Sequence, residues 1–315
     1  MDEAEQTLDD RRRARGPLWM LLAGVLGLIG LVIAAETLAV LHLRDGTLRS
    51  AARTLDDIAL ALAQQADRSL LSSDLVLARI ADYVSDWGMI DGEDLRQSLD
   101  RRETHLWLSE HLTGLPHIEA LGLIDADGRL VGSSAGRSPP PLDLSDREFF
   151  RKAKDDPAVR QLIGTPVHGP VSDTPVLPVV TRLNNAEGAF RGVAVALVKL
   201  SSFETLYRDI ADEPGRFIRL LHRDGTVLAQ HPDTPAVDPG RTITADRPLA
   251  NYPMSVRVEV TEASVLREWS AMAWMIGLVT LGTLCLVVAV AATLGRRWVQ
   301  EHAQDRERAD RAEAE

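Results

Sequence analysis

His105, His111 and His117 recur at intervals of six, and imidazole is a common ligand of zinc. Six residues along a helix place successive side chains on different faces, and His117 stands beyond Pro116, so the spacing does not converge on one ion. Asp125 and Asp127 could open a calcium loop, but no further carboxylates follow at loop spacing, and Asp125-Ala-Asp-Gly128 reads fully as a tight turn. Glu119 begins a Glu-Ala-Leu triplet of the sort used in metal-dependent phosphodiester hydrolysis, without the companion carboxylates that chemistry needs. The single cysteine, Cys285, excludes an intrachain disulfide and a multi-cysteine zinc site. No Gly-x-Ser-x-Gly elbow, phosphate loop or His-Glu-x-x-His is expected to serve catalysis. The expectation is a chain that is not an enzyme and uses no cofactor or metal.

The elements that must position any site are set by where the apolar residues lie. Of 315 residues 45% are hydrophobic, which excludes a disordered or collagen-like chain. The 35 Lys and Arg stand against 46 Asp and Glu, a net charge of −11, and without a basic block no nucleic-acid partner is expected. Two uncharged runs, Pro17 to Ala35 (continued past Glu36 to Leu41) and Ser270 to Gly295, are long enough to span a bilayer. The first reads as a retained anchor, since its apolar stretch exceeds the short core of a signal peptide. Arg11, Arg12, Arg13 and Arg15 precede the first run and Arg296 and Arg297 follow the second, so both ends are expected in the cytoplasm and residues 42–269 outside. Glu36 is expected at the interface, reaching water.

The external segment opens on a long helical pattern. Leu48, Leu55 and Leu62 repeat at seven, and Leu70, Leu77 and Val84 resume after a phase shift near Ala66. This stripe serves either a dimer or the domain's own core. A second amphipathic helix is expected over Asp94 to Leu112, with Leu95, Leu99, Leu106 and Leu112 inward. Strands follow: a hairpin around the Asp-Gly turn at 127–128, then a longer hairpin from Pro175 to Leu200, and a short helix to Ile210 capped by Ser201 or Ser202.

The chain repeats itself. Leu121-Gly-Leu-Ile-Asp-Ala-Asp-Gly-Arg-Leu-Val-Gly132 recurs as Ile218-Arg-Leu-Leu-His-Arg-Asp-Gly-Thr-Val-Leu-Ala229, and Val193 to Tyr207 is echoed by Ser255 to Trp269. Two copies of one α/β module are implied, the second lacking what corresponds to Ala135 to Pro170. A covered sheet offers a pocket and an uncovered one does not, so the first copy is the expected site.

Leu144-Ser-Asp-Arg-Glu-Phe-Phe150, Ile163-Gly-Thr-Pro-Val167, Gly169-Pro-Val-Ser172, Val179-Val-Thr-Arg-Leu-Asn184 and Gly188-Ala-Phe-Arg-Gly-Val193 resemble, in that order, the double Cache sensors. These are PAS-like periplasmic domains of bacterial diguanylate cyclases, sensor histidine kinases and chemoreceptors. The resemblance covers residues 17–294. It implies an α+β fold: a long N-terminal helix with two stacked PAS-like antiparallel-sheet modules, the second shortened, between two transmembrane helices. It further implies a ligand-binding set of Arg147, Phe149, Phe150 and Lys152 on a short covering helix, with Thr181 and Arg182 on the opposing strand, of which alternation lets one face inward. A guanidinium fork pairs both oxygens of a carboxylate, while aromatic faces exclude water. A purely structural reading has Asp146 capping that helix, a phenylalanine filling the core and Arg147 in an ion pair. The aspartate with which the amino-acid-binding branch holds an amine is replaced here by Leu197.

The expected organisation is a cytoplasmic tail (1–16), a first span (17–41), a helical stalk and second helix (42–114), a membrane-distal module (115–212), a shortened membrane-proximal module (213–269), a second span (270–295) and a cytoplasmic helical tail (296–315). The expected function is a homodimeric receptor of the bacterial inner membrane. It binds a small anionic ligand outside and signals through the second span to a histidine kinase or diguanylate cyclase output not contained in this chain. The alternative is a membrane-anchored scaffold or protein-interaction module with a vestigial pocket.

Overall fold

A computed structural model describes residues 2–86, 101–136, 142–185, 187–211, 214–233 and 240–313, as backbone alone before Ala23 and beyond Arg297. The chain divides into two compact units, Met1–Ala51 with Glu262–Glu315, and Ala52–Thr261.

The first unit consists of the N-terminal part of α1 (Asp2–Asp86) and of α5 (Glu262–Glu313). Each carries a segment long and apolar enough to cross a membrane. Within this unit Thr280 of α5 donates to the Glu36 carboxylate of α1, so the acidic residue in the first apolar run has a hydroxyl partner. Arg44 meets Glu262 at 3.6 Å. Gly24, Gly27 and Gly30 face open space.

In the second unit the remainder of α1 is followed by α2 (Arg101–His111), β1 (Ile118–Asp125), β2 (Leu130–Ser133), α3 (Glu148–Asp155), β3 (Gln161–Ile163), β4 (Val167–His168), β5 (Pro175–Asn184), β6 (Phe190–Lys199), α4 (Leu200–Ile210), β7 (Arg216–His222), β8 (Val227–His231), β9 (Thr242–Pro248) and β10 (Met254–Thr261). The first sheet runs β2-β1-β6-β5-β3, with β4 also on β5, and the second β8-β7-β10-β9. All these pairings are antiparallel. The order β2-β1-β6-β5 is repeated by β8-β7-β10-β9, and both Asp-Gly turns place their glycine, Gly128 and Gly225, at φ +89. The internal repeat is therefore a repeated fold. In the second copy residues 232–241 alone join β8 to β9, where the first copy inserts α3, β3 and β4. The fold is α+β, a long N-terminal helix against two antiparallel modules with the second shortened.

The apolar stripe of α1 covers the domain's own core: Leu55, Leu62, Ala66, Leu70, Leu77 and Val84 are buried. The phase of α2 differs from expectation, because Leu106 is 53% exposed while Thr104 and Leu108 turn inward. Leucines occur on both faces of this helix, so spacing alone selects the wrong stripe; Asp94 to Asp100 lie outside the described residues. Tyr83 of α1 stacks on Trp107 of α2 at 4.3 Å. At α4 the N-terminal cap position is Lys199, with Ser201 and Ser202 already inside the first turn.

Gly192 of β6 sits at φ +148, and a Cβ there would lie 2.1 Å from the carbonyl oxygen of Ile124 on the neighbouring strand. Gly192→Ala is expected to cost about 1–3 kcal/mol, read from chemical unfolding, because the residue is both strained and blocked by backbone.

The helix is fastened to the second sheet by polar bonds. Asp56 pairs with Arg247, Asp67 accepts from the Asn251 amide at 3.0 Å and its side chain at 2.6 Å, and Tyr252 donates to Asp74. Burial pushes the Asp74 carboxyl above its usual range, opposed by the Tyr252 bond. The folded state therefore holds that proton longer than the unfolded chain, and ionised Asp74 lowers stability as pH rises past the ordinary carboxylate range. Tyr252→Phe leaves the carboxylate without its donor and should cost about 1–3 kcal/mol at pH 7. Urea titrations should show that cost shrinking as pH falls and Asp74 becomes protonated in both states.

Candidate ligand-binding site

One face of the first sheet is closed by α3. Ile124, Val180, Val193 and Val195 meet Phe149, Phe150 and Ala153, the three residues that helical spacing turns toward the sheet. Phe150 is 1% exposed and makes an edge contact with Phe190, with ring centres 5.7 Å apart. The C-terminal end of α3 is held by Arg182 of β5, whose guanidinium donates to the carbonyls of Ala153 and Lys154 and to Asn184 Oδ1 at 2.7 Å. The same guanidinium lies 4.7 Å from the Phe190 ring centre. A cation on the last carbonyls of a helix meets both unpaired acceptors and the negative end of the dipole.

Beside α3 the same face of the sheet leaves a cavity of about 660 Å³. Its floor is two cross-strand pairs, Ala120 with Leu197 and Gly122 with Val195. Gly122 deepens it, since a Cβ there would stand 3.1 Å from Val195 and 3.3 Å from Leu130. One wall is Leu142, Leu144 and Phe149, and the other Pro166, Val167, His168 and Pro170. Arg147, at the N-terminal cap of α3, is the one Lys, Arg, Asp or Glu lining it among the described residues. Its side chain is solvent-exposed and has no hydrogen-bond or ion-pair partner among them. It, not Asp146, occupies the cap position, and no side chain caps the helix.

The second wall hangs on Glu119. Its carboxylate accepts from the amides of Val171 at 3.0 Å and Ser172 at 3.2 Å and from the Ser172 hydroxyl, and Gly169 passes so close that a Cβ would strike it. Burial alone would push this carboxyl up, but these bonds and nearby Lys199 hold it below its usual range.

Arg147 and Phe149 are brought together at the cavity. Phe150 lies in the core behind it, and Arg182 clamps α3. Lys152 is paired to Glu148 at 2.6 Å on the outer side of α3, against a different hollow. Thr181 pairs with Ala194 and shares the opposite face of β5 with Val179, its hydroxyl buried without a partner among the described residues. The histidines bond separately, His105 to the Ser133 carbonyl, His111 to the Trp107 carbonyl and His117 to Ser72. Asp125 Oδ1 is taken up by the amides of Asp127 and Arg129 in its own turn.

Sequence reasoning assigned Glu119 no place here, although a carboxylate at a bulge between Ile118 and Ala120 has no periodic signal to betray it. The expectation of no Gly-x-Ser-x-Gly elbow is corrected in one respect: Gly132-Ser-Ser134-Ala-Gly136 has that spacing. Ser134 Oγ accepts from the Leu121 amide, and no histidine among the described residues is bonded to it.

No protein-family model matches the chain, and no curated protein matches it. Among solved structures it is similar to the extracellular domain of rpHK1S-Z16, a proposed histidine kinase, with TM-score 0.59 and 27% identity over 70% of this chain and 98% of that one. The ligand-binding domain of the Campylobacter jejuni chemoreceptor Tlp3, solved with 4-methylisoleucine, gives TM-score 0.53 and 10% identity over 70% and 94%. That of the Pseudomonas fluorescens chemoreceptor CtaA, solved with L-serine, gives 0.51 and 16% over 68% and 98%. The last two show the fold alone. A long helix and two antiparallel modules in tandem are common to this chain and these neighbours: its fold is that of Cache-type sensor domains.

Proposed function

We propose that the chain is a two-pass receptor of the bacterial inner membrane, with residues 42–269 in the periplasm, that binds a small anionic ligand in the cavity beside Arg147. The observation that carries this reading is the Arg147 guanidinium, unpartnered among the described residues, at the edge of a largely apolar cavity. A forked cation there pairs both oxygens of a carboxylate. The distal module (115–212) is the binding module, and the proximal one (213–269) couples it to the second span. The signal is read by a kinase or cyclase output domain, and the working form is a homodimer, for which Leu60, Leu71 and Leu75 on the outer side of α1 offer contact. Signalling requires that the ligand bind one arrangement of the paired spans more tightly than the other.

Thermal unfolding of the full chain in lipid nanodiscs, against a panel of small carboxylates, tests the site. A ligand present at about 100 times its dissociation constant should stabilise the parent by about 2.7 kcal/mol, and Arg147→Ala should lose that shift while folding normally. No shift across the panel, with Arg147→Ala as stable as the parent, would favour the anchored scaffold instead.

A further inference from the structure

Among the described residues the cavity offers a ligand one charged side chain, Arg147, and a large apolar surface. Its floor, Ala120, Gly122, Val195 and Leu197, presents hydrocarbon and no side-chain polar atom. Its other polar side chains are engaged: Ser133 Oγ accepts from the Ala135 amide at 3.1 Å, and His168 Nδ1 faces the Asp173 carbonyl at 3.1 Å. No Asp or Glu lines it among the described residues, and Glu119 nearby spends its carboxylate on the Val171 and Ser172 amides.

From this geometry, and resting on the anion site proposed above, we propose that the cavity takes a monocarboxylate with an apolar body and rejects α-amino acids. The body lies against the Leu197 and Val195 floor, and the carboxylate stays at the rim on Arg147. An α-ammonium would be stripped of water with no acceptor of opposite charge, a penalty that an ion without a counter-charge does not recover. A second carboxylate at the far end would lie on hydrocarbon for the same reason. The volume of about 660 Å³ agrees, because an acid of two or three carbons leaves most of it to water, whereas a chain of eight carbons or an aryl acid covers the floor.

Three probes that share one carbon skeleton decide it: octanoate, 2-aminooctanoate and octanedioate, titrated onto the full chain in lipid nanodiscs with empty nanodiscs as the blank. Octanoate should bind at least tenfold tighter than the other two. Arg147→Ala should abolish its binding, and Leu197→Asp should weaken octanoate while admitting 2-aminooctanoate. If 2-aminooctanoate or octanedioate binds the parent as tightly as octanoate and is lost in Arg147→Ala, the ligand class is overturned and the anion site stands. If octanoate binds Arg147→Ala undiminished, or none of the three binds, the anion site falls and this inference with it.

Discussion

Phe150→Ala should lower the unfolding free energy of the sensor domain by about 3–5 kcal/mol, the usual cost of emptying a buried aromatic site. The side chain is 1% exposed and sits among Phe149, Ala153, Val180 and Val193, with Phe190 at its edge. Among the described residues α3 is the helix that covers this part of the sheet face, so the loss should appear first as detachment of that helix. Urea titration of the parent, Phe150→Leu and Phe150→Ala separates the two roles considered for this residue. A core residue gives a graded series, with leucine recovering much of the loss, and ligand affinity per folded molecule is retained in Phe150→Leu. A ligand-contacting ring would leave stability nearly unchanged and alter affinity instead.

Arg182→Ala should cost about 3–5 kcal/mol, because hydrogen bonds to charged groups contribute about 1.5–3 kcal/mol each and several are lost together. The residue is 9% exposed. Its removal leaves the Ala153 and Lys154 carbonyls without this donor and the Phe190 ring without its cation. Arg182→Lys is not a repair, since one ammonium cannot reach two carbonyls and Asn184 in a plane. Hydrogen exchange of the α3 amides should accelerate in both variants. Unchanged exchange with a lost ligand response would instead make Arg182 a ligand contact.

These two residues also mark how far the chain alone is legible. The repeat in the sequence foretold the shared strand order, because each copy keeps its strand, Asp-Gly turn and strand in register. The α1 stripe from Leu55 to Val84 was visible as a period of seven, but a period says which face is apolar and not whether a second helix or a sheet covers it. Thr181 and Arg182 were adjacent candidates, and only cross-strand pairing, Arg182 with Val193 and Thr181 with Ala194, decides which one looks toward α3. Having the inward place, Arg182 is consumed by helix carbonyls that no linear pattern shows. Glu119 was weighed only as part of a Glu-Ala-Leu triplet, and its actual role was hidden for a related reason. Its partners are two backbone amides and a hydroxyl some fifty residues away.

Among the described residues the second module has no counterpart of α3 and still presents a β-surface. Along β10 the buried residues Met254, Val256, Val258 and Val260 alternate with Ser255, Arg257, Glu259 and Thr261, whereas β6 is apolar for most of its length. On the alternate face Arg257 bonds Asp246 at 2.7 Å and Arg219 bonds Glu259 at 2.8 Å. Such a lattice of crossed charges keeps the strands wet and gives a neighbouring molecule no dry surface to adhere to. Deleting a protective layer usually invites aggregation. Here the paired charges of Arg219, Glu259, Arg257 and Asp246 work against such adhesion on the face they occupy.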